Sequence, residues 1–137
     1  MNKTFLILLI VNLICACQNK QAKEESIDKS FESFLTKFNN DSIFQKSRVK
    51  FPLPIIEMDG DSFNEIHNKI DAKDYRKFDL TSNKVHQQEE GYTQEIKLEK
   101  KKATIEIRGI ENGIMTDYYF EKINEKWMFV GLKDVST

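Results

Sequence analysis

From Tyr92 to Asp134 the chain is written largely in a two-residue period, and this stretch most narrows what the whole can become. Tyr92 to Glu99 alternates, with Ile96 and Leu98 facing one way and Glu95 and Lys97 the other, the pattern of a half-buried strand. Lys100-Lys101-Lys102 reads as a solvated hairpin turn. Lys102 to Ile110 and Ile114 to Asn124 flank Asn112-Gly113, the strongest short hairpin signal, because both residues tolerate the positive φ that a tight turn requires. Trp127 to Asp134 supplies a closing strand. Strands joined by short turns must run antiparallel, so the C-terminal half is a β-meander that needs an apolar layer on one face.

The N-terminal half offers that layer. Ile27, Phe31, Phe34, Leu35 and Phe38 recur at the i, i+4, i+7, i+8, i+11 spacing of one helix face. Ser26 can cap the start of this helix and Asn39-Asn40 can end it. Asp41 to Gln45 suggests a further short turn of helix. Arg48 to Phe51 alternates as a strand, and Pro52 and Pro54 confine the next segment to an edge or an irregular path. Asp59-Gly60-Asp61 is a turn rather than a calcium loop, since Gly60 separates the carboxylates and no acidic set follows in register. Ser62-Phe63-Asn64-Glu65 has the form of a capping box, which predicts a short helix burying Phe63, Ile66 and Ile70. A second short helix, started by Asp71, is expected over 72–77, burying Tyr75 and Phe78. Together these make an α+β domain over residues 26–137, with N-terminal helices packed on a curved antiparallel meander.

Ahead of this domain stands a targeting segment. Lys3 supplies a positive charge, and an apolar run from Phe5 to Val11 extends past Asn12 to Ile14. About a dozen apolar residues suit a signal peptide and fall short of the ~20 needed to span a bilayer. Ile14-Cys15-Ala16-Cys17 resembles a lipobox, which implies removal of residues 1–16 and a diacylglycerol on Cys17. Two or three acyl chains hold a protein to a membrane almost permanently, each buried methylene adding about 0.8 kcal/mol. Residues 17–25 then form a lipidated cysteine and polar tether, whose eight residues after Cys17 reach about 16 Å on average and about 27 Å at most. Gln18 is not the aspartate that holds lipoproteins at the inner membrane in the best-known sorting scheme, so the outer membrane is the expected address.

Length and charge bound the rest. A chain of 137 residues, 39% apolar and 31% charged, suits one soluble domain behind its leader. Lys3 is the only charged side chain before Cys17, so the net charge of −1 becomes −2 on cleavage. That near-balance argues against nucleic acid as a partner. After Cys17 there is no further cysteine, so the domain has no disulfide and rests on its apolar core alone.

The order of elements, ending in Glu125-Lys126-Trp127-Met128-Phe129-Val130-Gly131-Leu132, resembles the nuclear-transport-factor-like, or cystatin-like, α+β cone. More narrowly, the unbroken string from Asp41 through Phe44-Gln45, Arg48 and Phe51-Pro52 to Leu53, behind a lipobox, resembles a family of uncharacterised bacterial lipoproteins carrying such a domain. The resemblance implies a fold and a location. It implies no activity and no catalytic residues.

Few residues speak for chemistry. His67 and His86 have no second ligand at i+3 or i+4, so a zinc pair is unsupported, and His67 is expected to be partly buried on its helix. Serines lie in no Gly-x-Ser-x-Gly context, and the five glycines form no phosphate loop, so no cofactor is expected. The function expected is binding of a ligand or protein partner at the cell envelope. The alternative is a small cone-fold enzyme, isomerase- or hydrolase-like, with Tyr75, Tyr92 or Tyr118 giving a hydroxyl and Asp74 or Asp79 a carboxylate.

One contact surface is written into the meander. A two-residue turn at Asn112-Gly113 sets Ile107 opposite Tyr118 and Ile105 opposite Phe120 on one face, with Arg108 opposite Asp117 on the other. A two-residue loop at Asn124-Glu125 adds Phe129 to the core face and leaves Met128, Val130 and Leu132 on the opposite face near Tyr119. A three-residue loop exchanges the sets and leaves Trp127 and Phe129 outside. Residues 52–58 or the C-terminal residues can cover that stripe. Otherwise Tyr119, Met128, Val130 and Leu132 form a surface for a homodimer or a protein partner.

Overall fold

A computed structural model describes residues 26–62, 64–81 and 91–137. Two helices, α1 (Phe31–Asn40) and α2 (Ser42–Ser47), precede six strands: β1 (Leu53–Met58), β2 (Glu65–Ile70), β3 (Tyr92–Leu98), β4 (Lys102–Gly109), β5 (Met115–Ile123) and β6 (Lys126–Asp134). The strands form one sheet in the order β2-β1-β6-β5-β4-β3. All neighbours are antiparallel except β1 and β6, which run parallel. This is the expected α+β architecture, with a hairpin added beside the last strand of the meander.

Helix α1 starts where Ser30, not Ser26, caps it: the Ser30 hydroxyl accepts the Ser33 N–H at 3.1 Å. Ser26 and Ile27 lie in a separate helical turn. The predicted stripe is buried as written, with Phe31, Phe34, Leu35 and Phe38 in the core and Ile27 packed against it. These rings meet Phe120, Phe129 and Trp127 of the sheet at centroid distances from 5.1 to 6.1 Å, mostly edge-on. Asp41 ends α1 and opens α2, its carboxylate accepting the Phe44 N–H at 2.9 Å.

Four local expectations give way. Residues 48–51 form no strand: Val49 makes a single parallel bridge to Phe129. Pro54 does not keep β1 at an edge. Pairing with β6 begins only at Ile55, so the missing N–H falls before the ladder starts. Glu65–Ile70 is a strand, not a helix, because Ile66 and Ile70 share a face under either period and the Asp59–Asn64 turn folds them back along β1. Ile66 and His67 are consequently exposed, and Phe63 lies outside the described residues. Residues 72–77 form a turn rather than a helix, although Tyr75 is buried and Phe78 packs on the core as expected.

The hairpin register differs from expectation by two residues. Ile105 faces Tyr118, Ile107 faces Thr116 and Ala103 faces Phe120. The turn has four residues, 110–113, with Glu111 at φ 61° and Gly113 at φ 72°. Asn112 keeps negative φ and uses its side chain instead, donating to the Gly91 carbonyl and accepting the Ile114 N–H. A slip of two preserves every face, so the core set survives, and Arg108 still reaches Asp117 diagonally at 2.7 Å.

Candidate functional site

The segment Asp41 to Leu53 proves to be a brace. Gln45 is fully buried, and its amide is used on both sides. Nε2 donates to the carbonyls of Phe38 and Phe78 at 3.0 and 2.9 Å, and Oε1 accepts the Tyr75 hydroxyl at 2.7 Å and the Phe78 N–H at 2.9 Å. One side chain thus ties the end of α1 and the start of α2 to residues 75–78. Three positions on, Arg48 is buried against Asp28 in a two-pronged pair at 2.9 and 3.0 Å. Asp28 also accepts the Trp127 N–H at 2.8 Å, and the guanidinium lies 4.7 Å over the Phe44 ring.

Beside the brace is an open groove of about 640 Å³, lined among others by Ile43, Lys46, Phe51, Ala72, Tyr75 and Lys77. Ile43 is 83% exposed, the most exposed large apolar side chain described. Phe44 and Gln45 turn inward on a one-and-a-half-turn helix, which leaves Ile43 outward. Neither Lys46 nor Lys77 pairs with a carboxylate among the described residues. An apolar wall with two cations beside it suits a ligand that has an apolar body and an anionic head. The volume lies within the range of small-molecule sites.

The tyrosines and acids of the enzymatic alternative are not brought together as a catalytic set. Tyr75 is buried with its hydroxyl committed to Gln45, and burial pushes its ionisation far above the ordinary value. Tyr118 lies between Phe78 and Phe129 at 5.8 and 6.1 Å, also raised by burial. Tyr92 is half-buried on the edge strand β3. Asp74 is exposed, and Asp79 accepts the hydroxyl and N–H of Thr81. The interior of the cone is filled by Phe34, Phe38, Phe120, Phe129 and Ile105.

The contact surface loses one member. The last loop is the two-residue one, with Asn124 and Glu125 both at positive φ, and Phe129 faces Phe120 in the core as that alternative requires. A bulge then inserts Val130: Phe120 faces Phe129, but Tyr119 faces Gly131. The extra residue reverses the sides beyond it, so Leu132 pairs with Tyr118 and Ile55 and is 7% exposed in the core. Tyr119, Met128 and Val130 remain half-buried. Gly131 lies beside Pro54 and Tyr119 on the outer face. Cys17 and His86 lie outside the described residues.

Gln45, Asp28 and Ile43 were not singled out by pattern. Gln45 and Arg48 belong to the string that carried the family resemblance, but a buried amide has no periodic signature.

The chain matches, over residues 10–134, a protein family described as a domain of unknown function, DUF4348. Among solved structures it is similar to an NTF2-like protein from Bacteroides fragilis, with TM-score 0.62 and 24% identity over 80% of this chain and 48% of that one. It is also similar to a cystatin-like protein from Bacteroides caccae, with TM-score 0.57 and 28% identity over 75% of this chain and 74% of the other. A protein from Bacteroides uniformis solved by NMR aligns with TM-score 0.58 and 26% identity over 76% and 75%. The chain spans about half the length of the Bacteroides fragilis protein. No curated protein matches it.

Proposed function

This chain belongs to the DUF4348 family, and from that premise we propose that it is a lipid-anchored envelope protein whose domain binds an anionic amphiphile on its surface. The anchoring rests on Ile14-Cys15-Ala16-Cys17 behind an apolar leader. The binding rests on one observation: the interior is filled by the protein's own rings, while Ile43, Phe51 and Tyr75 border an open groove beside Lys46 and Lys77. A fatty-acid carboxylate has the required chemistry, its chain against Ile43 and Phe51 and its head between the lysines.

Two measurements test the two halves. Cells fed an alkyne-tagged fatty acid should label the wild-type protein and not Cys17→Ala. Equal labelling of both would remove the anchor. Titration of the protein with laurate should move the NMR resonances of Ile43, Phe51 and Tyr75, with Ile43→Asp abolishing the shifts. Charge reversal at Lys46 or Lys77 should weaken binding about two- to fivefold, as expected for an exposed pair of up to ~1 kcal/mol. Shifts confined to other regions, or equal response to uncharged dodecanol, would remove the ligand class.

A further inference from the structure

Among the described residues strand β3 closes one side of the sheet, and its backbone parity is fixed by two bonds. The Glu99 N–H donates to the Lys102 carbonyl at 2.8 Å, and the Ile110 N–H to the Gly91 carbonyl at 2.9 Å. In the antiparallel ladder, residues 91, 93, 95, 97 and 99 therefore bond toward β4. Tyr92, Gln94, Ile96 and Leu98 turn their N–H and C=O groups the other way, off the edge of the sheet. On the face that α1 covers elsewhere, Ile96 is 44% and Leu98 60% exposed. On the other face Glu95 stands directly opposite Glu106, an unfavourable like-charge pair. Glu106 holds Lys97 at 2.7 Å and Arg108 at 3.4 Å. Glu95 has no bonded cation among the described residues.

We propose that β3 pairs antiparallel with β3 of a second copy of this chain, about a two-fold axis through Ile96. In that register Ile96 faces its own copy, Gln94 faces Leu98, and Glu95 faces Lys97 reciprocally on both sides of the axis. Ile96, Gln94 and Leu98 then occupy hydrogen-bonded positions and use the backbone groups that point off the edge. Glu95 and Lys97 occupy the alternate positions, where Cα atoms approach to about 4.5 Å and side chains are nearest. Each Glu95 receives from its partner the cation that its own chain gives to Glu106. Centring the axis on Leu98 would run the pairing off the strand into the lysine turn. A contact of this kind is self-complementary and closes at two copies.

Sedimentation of the full chain over a rising concentration series should show a reversible monomer–dimer equilibrium. Ile96→Pro should be monomeric with an unchanged melting curve, because the N–H it removes faces outward and proline is tolerated on such an edge. Lys97→Glu should weaken the dimer about tenfold or more by placing like charges opposite each other twice. Glu95→Lys combined with Lys97→Glu should restore it, and this pair decides the matter if the proline lowers stability. A chain that stays monomeric at millimolar concentration overturns the proposal. So does a dimer that Val130→Lys on the outer face abolishes while Lys97→Glu leaves it intact.

Discussion

Asp28 and Arg48 are taken out of water together, at the seam where the N-terminal turn meets the start of β6. Removing one partner strands the other's charge in a site almost closed to solvent. Asp28→Ala should therefore cost about 3–5 kcal/mol, far more than any of the surface pairs such as Lys37–Asp41. The lone tryptophan, Trp127, is buried at the same seam and reports unfolding directly, so urea titration followed by its fluorescence measures the loss. Replacing both with apolar residues, Asp28→Leu with Arg48→Met, should recover much of it, since no charge is then left unpaired. The sequence could not have announced this pair. Charged residues twenty positions apart carry no periodicity, and each alone reads as surface. The aromatic stripe of α1 was legible for the opposite reason, as large rings at helical spacing seldom arise except on the buried face of a helix.

At the scale of elements, two ambiguities decided what could be read. An i, i+4 apolar pair satisfies a helix and a strand alike, and at Ile66 and Ile70 the long-range ladder to β1 chose the strand over the capping-box signal. Turn length was equally open at Asn112-Gly113, where the side chain of Asn112 took hydrogen bonds that a two-residue turn would have left unmade. The bulge at Val130 was invisible, because an inserted residue breaks the period it would be recognised by. It also accounts for the closing strand looking apolar on both sides: Phe129 and Leu132 serve one face across the break. Deleting Val130 should remove the bulge and keep Leu132 opposite Tyr118 on the core face, since Phe129, Gly131 and Leu132 then alternate regularly. Leu132→Ala, by contrast, should lose at least about 2 kcal/mol, the low end for truncating a buried leucine, measurable as a lower melting temperature.

For the whole molecule, pH should act from both ends. Lys37 and the Phe44 N–H hold the Asp41 carboxyl low, the Ser62 and Asp61 amides do the same for Asp59, and Lys133 for Glu65. Folding therefore favours their charged forms, and the stability they contribute is complete above the ordinary carboxylate range and fades as pH falls through their lowered values. Tyr75 and Tyr118 are held protonated by burial, so their contribution is complete below the tyrosine value of 10.0 and is lost as pH rises beyond it. Thermal melting across pH should show a plateau between these limits with a fall on each side. A curve that kept rising above pH 10 would contradict the buried tyrosines.

The parallel junction of β1 with β6 has a consequence for how the molecule is made. Sheet order places β6 between β1 and β5, yet it is synthesised after every other strand described. Until it arrives, α1 lacks Trp127 and Phe129 to pack on, Asp28 lacks the amide it accepts, and the β1–β2 hairpin has no sheet to join. A chain stopped at Glu125 should consequently show no cooperative transition and no protected amides, despite keeping five of six strands. Contacts closed over such distances along the chain also form slowly, in milliseconds or longer. For a chain that crosses a membrane as proposed, that delay is an asset: the polypeptide stays threadable during passage, and its last strand locks the fold only on the far side.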